Sequence, residues 1–302
     1  MKKFTVFLSI VPLLCAAEEV QRPRILGVSH MGLFAKDMAK TCQFYEDFLG
    51  YRELFTIART HITYIRINDQ QGLEIYDAPD RGEGQLNHIA FYTDNADKMR
   101  EYLISKGVQV PEVGTGSVGN KTFKFSDPDG HIVEMVESQP DSLTSRETGK
   151  SMPATRISTH MMHLGVLVGD LDKSVKFYNG ILGFKEFWRG NPSPKVLSWV
   201  DMRVSDGDDY LEFMLYDKLP VPGNRGGENH MSLMVPDAQK AVDELHKRAA
   251  GGLYDKEIAI KIGVNRKRQV NLFDPDGTRV ELMEPKEIDG HPVPSSTAPP
   301  PR

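Results

Sequence analysis

The chain has 302 residues, a formal net charge of -5 and an isoelectric point near 6.0. Hydrophobic residues make up 39% and charged residues 26%, which is typical of a soluble globular protein, and the length suits two domains. The sequence has no long basic run that could follow a phosphate backbone, so we expect no nucleic-acid partner.

The amino-terminal residues form a distinct segment. Two lysines at 2–3 precede an apolar run over 4–14, and Cys-Ala-Ala follows at 15–17. This order is typical of a secretory signal peptide, so we expect an exported protein, periplasmic or secreted. The apolar run is too short to cross a bilayer stably, and no later segment approaches about 20 apolar residues. A lipid anchor on Cys15 is the alternative, which the bulky Leu14 before it disfavours.

The first testable expectation is that the mature protein lacks residues 1 to about 17. Mass spectrometry of material purified from the native host measures this directly. An intact amino terminus would contradict it.

Removal of that leader would leave Cys42 as the single cysteine. An intramolecular disulfide is then impossible, even in an oxidising compartment. Cys42 lies in the amphipathic run 38–49, where a structural thiol is expected rather than a nucleophile.

Three sequence blocks of the first half recur in the second half. They are a histidine-led strand, an Asn-His pair and an Asp-Pro-Asp-Gly turn, found at residues 30 and 163, 87 and 229, and 127 and 274. Their offsets of 133, 142 and 147 residues grow stepwise. The sequence therefore predicts one duplicated domain with small insertions in the second copy.

Each half divides into two similar units, each an initial strand, an amphipathic helix and about three further strands. Four such units predict an α+β fold. The expected organisation is a signal peptide at 1–17, domains at 24–138 and 158–286, a linker at 139–157 and a disordered proline-rich tail at 287–302.

Every unit carries one histidine on its first strand and one glutamate on its last. The pairs are His30 and Glu74, His88 and Glu134, His163 and Glu212, and His230 and Glu281. Two facing units would supply two imidazoles and two carboxylates, a set suited to divalent Zn, Ni, Co, Mn or Fe(II). A lone strand histidine is more often structural, but eight residues in four matched positions favour ligands. The pairing of units, within a half or crossed between halves, stays open.

Strand parity predicts which other side chains face the ligands. The candidate substrate-binding residues are Phe34, Tyr76 and Tyr92 in the first half, and Leu167, Met214, Tyr216 and Met234 in the second. They indicate a small, largely apolar ligand, unless they merely fill the barrel interior. The acidic pairs of the Asp-Pro-Asp-Gly runs are interpreted as turn residues, and the five other histidines as structural or exposed.

These motifs resemble the vicinal oxygen chelate superfamily, which includes glyoxalase, bleomycin-resistance and extradiol-dioxygenase relatives. The likeness covers nearly all of residues 25–285. It implies four βαβββ modules forming two glyoxalase-like barrels, each around a divalent metal. By the same resemblance, ligand glutamates would double as catalytic proton-transfer bases: Glu74, Glu134, Glu212 and Glu281.

The sequence departs from two branches of that family. Bacterial glyoxalase I has an arginine that helps anchor glutathione where this chain has Phe34 and Leu167, so glutathione is not expected as cosubstrate. Extradiol dioxygenases add a histidine and a tyrosine near the metal. Here those neighbourhoods hold Leu73 and Lys124 in the first half, and Leu215 and Asn271 in the second.

The favoured hypothesis is a metal-dependent lyase or isomerase acting on a small oxygen-chelating metabolite, as a monomer or homodimer. A non-catalytic binding or resistance protein is the first alternative, and an extradiol-type dioxygenase is the second. The retained carboxylates favour an enzyme, because a binding cup does not need four metal ligands.

Overall fold

A computed structural model of the protein describes residues 20–80, 85–221 and 225–301. The predicted signal peptide at 1–17 lies outside these residues. Within the described ranges, no helix combines the length and the apolar character that a membrane span requires.

The first half contains two modules of one strand, one helix and three strands. The first module comprises β1 (Ile25–Ala35), α1 (Met38–Gln43, continued by a π turn over Phe44–Phe48), β2 (Arg52–Ile57), β3 (Ile62–Arg66) and β4 (Gly72–Asp77). The second comprises β5 (Leu86–Thr93), α2 (Ala96–Ser105), β6 (Gly114–Thr115), β7 (Lys121–Ser126) and β8 (Ile132–Glu137).

The second half repeats this order after a short helix, α3 (Leu143–Arg146). Its first module comprises β9 (Met161–Val168), α4 (Leu171–Tyr178), β10 (Lys185–Gly190), β11 (Trp199–Arg203) and β12 (Tyr210–Leu215). The last comprises β13 (His230–Met234), α5 (Ala238–Arg248, continued by a π turn over Ala249–Leu253), β14 (Ile260–Ile262), β15 (Lys267–Phe273) and β16 (Arg279–Glu287). The α+β fold of four βαβββ modules is confirmed.

Each half forms one curled eight-stranded sheet. The orders are β2-β3-β4-β1-β5-β8-β7-β6 and β10-β11-β12-β9-β13-β16-β15-β14. The first strand of every module therefore lies beside its last strand, and the two modules of one half meet at their first strands. This arrangement settles the pairing that the sequence left open: modules pair within a half, not across halves.

All four module helices begin in the same way. An Asp or Asn side chain caps each helix by accepting from the backbone N–H of a lysine three residues later, and the caps are Asp37, Asn95, Asp170 and Asp237. The helices pack against one face of each sheet. Strand residues on that face, such as Met31 and Leu33 of β1, are buried in the hydrophobic core. The alternate residues of that strand, including His30, occupy the opposite face.

Each Asp-Pro-Asp-Gly turn accepts a hydrogen bond from a tyrosine of the other half. In the first turn, Asp127 accepts from the Tyr178 hydroxyl at 2.9 Å. In the matching turn, Asp274 accepts from the Tyr45 hydroxyl at 3.2 Å. Both tyrosines are fully buried. The interpretation as turn residues holds, and each turn additionally anchors the first helix region of the other half.

The predicted linker packs against the first half through Arg66. Its guanidinium is completely buried and donates to the backbone carbonyl oxygens of Thr144 at 2.6 Å, of Glu147, and of Lys150 at 3.4 Å. Arg66 of β3 is therefore one of the residues that hold the segment between the halves in place.

We expect Arg66→Met to lower the free energy of unfolding by roughly 2–4 kcal/mol, because linker carbonyls lose a buried donor. Denaturant unfolding measures the change. Arg146→Met is the matched control, since Arg146 is largely exposed and should change stability by less than about 0.5 kcal/mol. Equal effects of both substitutions would contradict the assigned role of Arg66.

The carboxyl-terminal residues follow β16 without regular secondary structure and run along β10. Ser296 donates its N–H to the Arg189 carbonyl at 2.9 Å, and Leu197 donates to the Pro299 carbonyl at 2.8 Å. This differs from the expected disorder. β10 is an edge strand, and the tail satisfies backbone groups that an edge leaves unpaired. The domain boundaries themselves remain predictions.

Candidate metal centre

The register of the first sheet brings together the four ligand candidates of that half. They are His30, Glu74, His88 and Glu134. Glu74 and His88 lie on either side of Gly32 in one row across the sheet, and His30 and Glu134 lie on either side of Ala90 in the next row. Because side chains two residues apart along a strand share a face, all four converge.

The two histidine Nε2 atoms lie within 4 Å of each other and of an oxygen of each carboxylate. The Nε2 atoms of His30 and His88 are 2.8 Å apart. Glu134 Oε2 lies 2.9 Å from His88 Nε2 and 3.4 Å from His30 Nε2. Glu74 Oε2 is farther from the same two nitrogens, at 3.8 and 3.9 Å. Glu134 is thus the closer carboxylate.

A glycine in each half makes room for the second histidine. A Cβ on Gly32 would lie 2.3 Å from the His88 ring, and a Cβ on Gly165 would lie 1.9 Å from the His230 ring. Any larger residue would displace these imidazoles. The glycine two residues after the first histidine of each half is therefore a sequence signal for the site.

The donor chemistry around His88 fits a cation. Asn87 Oδ1 lies 2.9 Å from Nδ1, which places the ring proton there and directs the Nε2 lone pair towards Glu134. Burial lowers the pKa of His88, so the imidazole is neutral at pH 7. Glu134 Oε2 is buried and finds no hydrogen-bond donor of suitable geometry among the described residues. A divalent ion between these electron-rich atoms would satisfy both.

A cavity of about 230 Å³ opens beside these ligands and includes His30, Glu74 and Glu134 in its wall. The rest of the wall is mainly polar, with contributions from Ser29, Tyr64, Tyr76, Tyr92, Thr115, Ser117, Asn120, Thr122, Lys124 and Thr144. The predicted apolar lining is therefore wrong for this half. Tyr76 and Tyr92 do line the cavity, whereas Phe34 packs behind Tyr76, with ring centroids 5.9 Å apart.

The two carboxylates of this centre are held differently. Glu134 accepts from the Thr122 hydroxyl through Oε1, and Lys124 Nζ lies 3.2 Å from its Oε2. Glu74 Oε2 accepts from the Tyr76 hydroxyl at 2.7 Å. Thr122 on β7 lay outside the predicted site. Glu134 is anchored from the neighbouring strand, and Glu74 from its own strand.

The second half gathers its four candidates in the same way. The Nε2 atoms of His163 and His230 are 3.2 Å apart. Glu281 Oε2 is 3.4 Å from His163 Nε2, and Glu212 Oε2 is 3.4 Å from His230 Nε2. Each half thus contains a His/His/Glu cluster whose ligand atoms all lie within 4.8 Å of one another, with a second glutamate beside it.

Two charged residues distinguish the second centre. The Arg279 guanidinium lies 3.2 Å from His230 Nε2, where its positive charge opposes a divalent cation. Asp201, the cross-strand partner of Glu212, adds a third carboxylate, and burial raises its pKa to about 8. Tyr64 is the corresponding partner of Glu74 in the first half. The duplicated centres therefore share ligands and differ in the ionisable side chains beside them.

The candidate substrate residues of the second half have mixed positions. Leu167 is completely buried, and the Met214 sulfur accepts from Arg279 Nη2 at 3.3 Å. Tyr216 and Met234 are partly buried. Their proposed role in substrate binding stays a prediction.

Three other groups serve structural roles. His131 contacts Asp127 of its own turn at 2.9 Å, and His160 contacts Asp209 at 2.9 Å. Burial raises the pKa of Cys42 to about 11, which suppresses the reactive thiolate.

The fold and the site define a duplicated barrel protein with a histidine–carboxylate centre in each half. The family model of the Glyoxalase/Bleomycin resistance protein/Dioxygenase superfamily matches residues 27–135 and 160–282. The chain belongs to this superfamily.

The chain is similar in sequence to lactoylglutathione lyases and similar in fold to a solved dioxygenase. A lactoylglutathione lyase of Arabidopsis thaliana is 24% identical over 277 residues, covering 83% of this chain and 89% of the relative. A lactoylglutathione lyase of Haemophilus influenzae is 29% identical over 130 residues, covering 42% of this chain and 93% of the relative. The solved 2,3-dioxygenase LapB of Pseudomonas sp. KL28 superposes with a TM-score of 0.68 at 17% identity, over 91% of this chain and 98% of that one. This last likeness concerns the fold alone.

Proposed function

We propose that the first half is the active centre of a divalent-metal-dependent lyase or isomerase that acts on a small oxygen-chelating metabolite. The observation that best supports this proposal is that His30, Glu74 and Glu134 line one cavity, while His88 completes the ligand set behind it. The similarity to lactoylglutathione lyases over both halves supports this class of chemistry.

His30, His88 and Glu134 are the residues that would hold the ion. A divalent ion there supplies Lewis acidity to a substrate oxygen. Zn, Ni, Co, Mn and Fe(II) all suit imidazole and carboxylate ligands. The neutral His88 imidazole and the Glu134 oxygen without a hydrogen-bond donor among the described residues both favour a cation at this position.

Glu74 is our candidate for the proton-transfer base. It lies farther from both histidines than Glu134 does, and its described hydrogen bond comes from Tyr76 on the cavity wall. Glu74 would take a proton from a carbon next to a carbonyl and return it to the neighbouring atom. Tyr76 would keep the carboxylate directed at the substrate during the transfer.

Glutathione is not the proposed cosubstrate. Phe34 and Leu167 stand where a carboxylate-anchoring arginine would be expected, and Leu167 is completely buried. The cavity of about 230 Å³ is also below the range usual for larger ligands.

The test is a substrate screen on metal-loaded, purified protein. The screen combines 2-oxoaldehydes with and without thiols, epimerisable acyl compounds, and catechols with O₂ uptake recorded. We expect lyase or isomerase turnover without O₂ consumption. O₂ uptake with a catechol would instead establish a ring-cleaving dioxygenase, and tight ligand binding by a protein that takes up no metal would establish a binding protein.

A further inference from the structure

Lys124 is a fixed positive charge in the wall of the first-half cavity. Its Nζ lies 3.2 Å from Glu134 Oε2 and 3.4 Å from His88 Nδ1, and the side chain is 39% exposed. It is the only lysine or arginine among the described residues that line this cavity. The amino group therefore faces both the ligands and the space that a substrate would occupy.

The charges of the centre are unbalanced once an ion is bound. The two carboxylates of Glu74 and Glu134 neutralise a divalent cation. With Lys124 included, the net charge of the ion-bound centre is then one positive charge. A net charge in a largely enclosed site is costly unless a partner compensates it. No further acidic side chain lines the described part of the cavity, so an anionic group of the substrate would be the partner that compensates this charge.

The second half shows that this charge is not a requirement of the fold. Lys124 pairs across the sheet with Glu134, and at the matching position Asn271 pairs with Glu281. The positive group of that centre, Arg279, comes from β16 and lies 3.2 Å from His230 Nε2. A lysine paired across the sheet with the ligand glutamate is therefore found in the first half alone.

We infer that Lys124 recognises a substrate carboxylate, so that the proposed enzyme acts on 2-hydroxy or 2-oxo acids. The inference rests on the proposed function. Since Nζ is 3.2 Å from a ligand oxygen, the anionic group that it contacts must lie on or next to the chelating atoms. A carboxylate beside a hydroxyl or carbonyl oxygen meets that condition, and a short acid fits a cavity of about 230 Å³.

The test compares two probes of equal shape, lactate and lactamide. Both offer vicinal oxygens, and only lactate carries a charge. Their dissociation constants are measured by calorimetry on zinc-loaded full-length protein, with metal content determined on the same samples. Replacing Lys124 by Asn, the residue of the second half, should reduce the preference for lactate by roughly 10–100-fold.

Two further variants isolate the effect. Lys124→Arg should retain the preference, because it keeps the charge. Lys121→Met on the same strand should leave the preference unchanged, because Lys121 pairs with Asp97 on the outside at 2.7 Å. An unchanged preference in a Lys124→Asn protein that still holds zinc would overturn the inference alone. A wild-type protein that takes up no metal would overturn the proposed function and this inference with it.

Discussion

A Glu74→Gln protein should turn over its substrate roughly 10²–10⁴-fold more slowly than the wild type. The amide keeps the shape of the side chain and can still contact the Tyr76 hydroxyl, which lies 2.7 Å from Oε2. It cannot accept a proton at neutral pH. Because Glu134 is the closer carboxylate, metal content should remain near that of the wild type. Steady-state kinetics should show the loss in kcat with a smaller change in KM.

The matched control is Glu212→Gln, which makes the same change in the second half. If the first half carries the activity, this control should retain turnover within about threefold of the wild type. Full turnover by the glutamine variants of Glu74, Glu134, Glu212 and Glu281 alike would exclude general-base catalysis by a ligand carboxylate.

A Glu134→Ala protein should bind about one divalent ion fewer per chain than the wild type. Its carboxylate lies within 3.4 Å of both imidazole nitrogens, so its removal leaves the two histidines and the more distant Glu74. The positive charge of Lys124 would then also be unopposed beside the site. Elemental analysis after extensive dialysis measures the change.

Glu281→Ala tests the second centre in the same way. The Arg279 guanidinium beside His230 should make metal binding weaker there, so this variant should matter most at high metal concentration. Metal content that falls in neither variant would show that the histidine–glutamate assignment is wrong.

Much of the architecture could be predicted because duplication repeats its signals. Each histidine and each glutamate could be checked against three counterparts, and the structure places them on neighbouring central strands. The same equivalence hid the pairing of modules, since every module brings one imidazole and one carboxylate. Only the observed contact between the two first strands of a half resolves it.

The character of the cavity could not be predicted from strand parity. Parity describes the faces of β1, β4 and β5, and it correctly selects Tyr76 and Tyr92. The polar wall comes from elsewhere: Thr115 ends β6, Asn120 precedes β7, and Thr144 belongs to the linker that Arg66 contacts. Long-range packing brings these residues to the site, and local sequence patterns do not predict such packing.

The reciprocal docking of the two turns has a consequence for how separable the halves are. A half expressed alone would retain a buried tyrosine and a buried aspartate whose partners lie in the missing half. Such a fragment should recover these bonds only by associating with a second copy, at a cost in translational freedom. The covalent link replaces that bimolecular encounter with a high effective concentration. Gene fusion thus removes the dependence on protein concentration while each half remains free to diverge in the charges around its ligands.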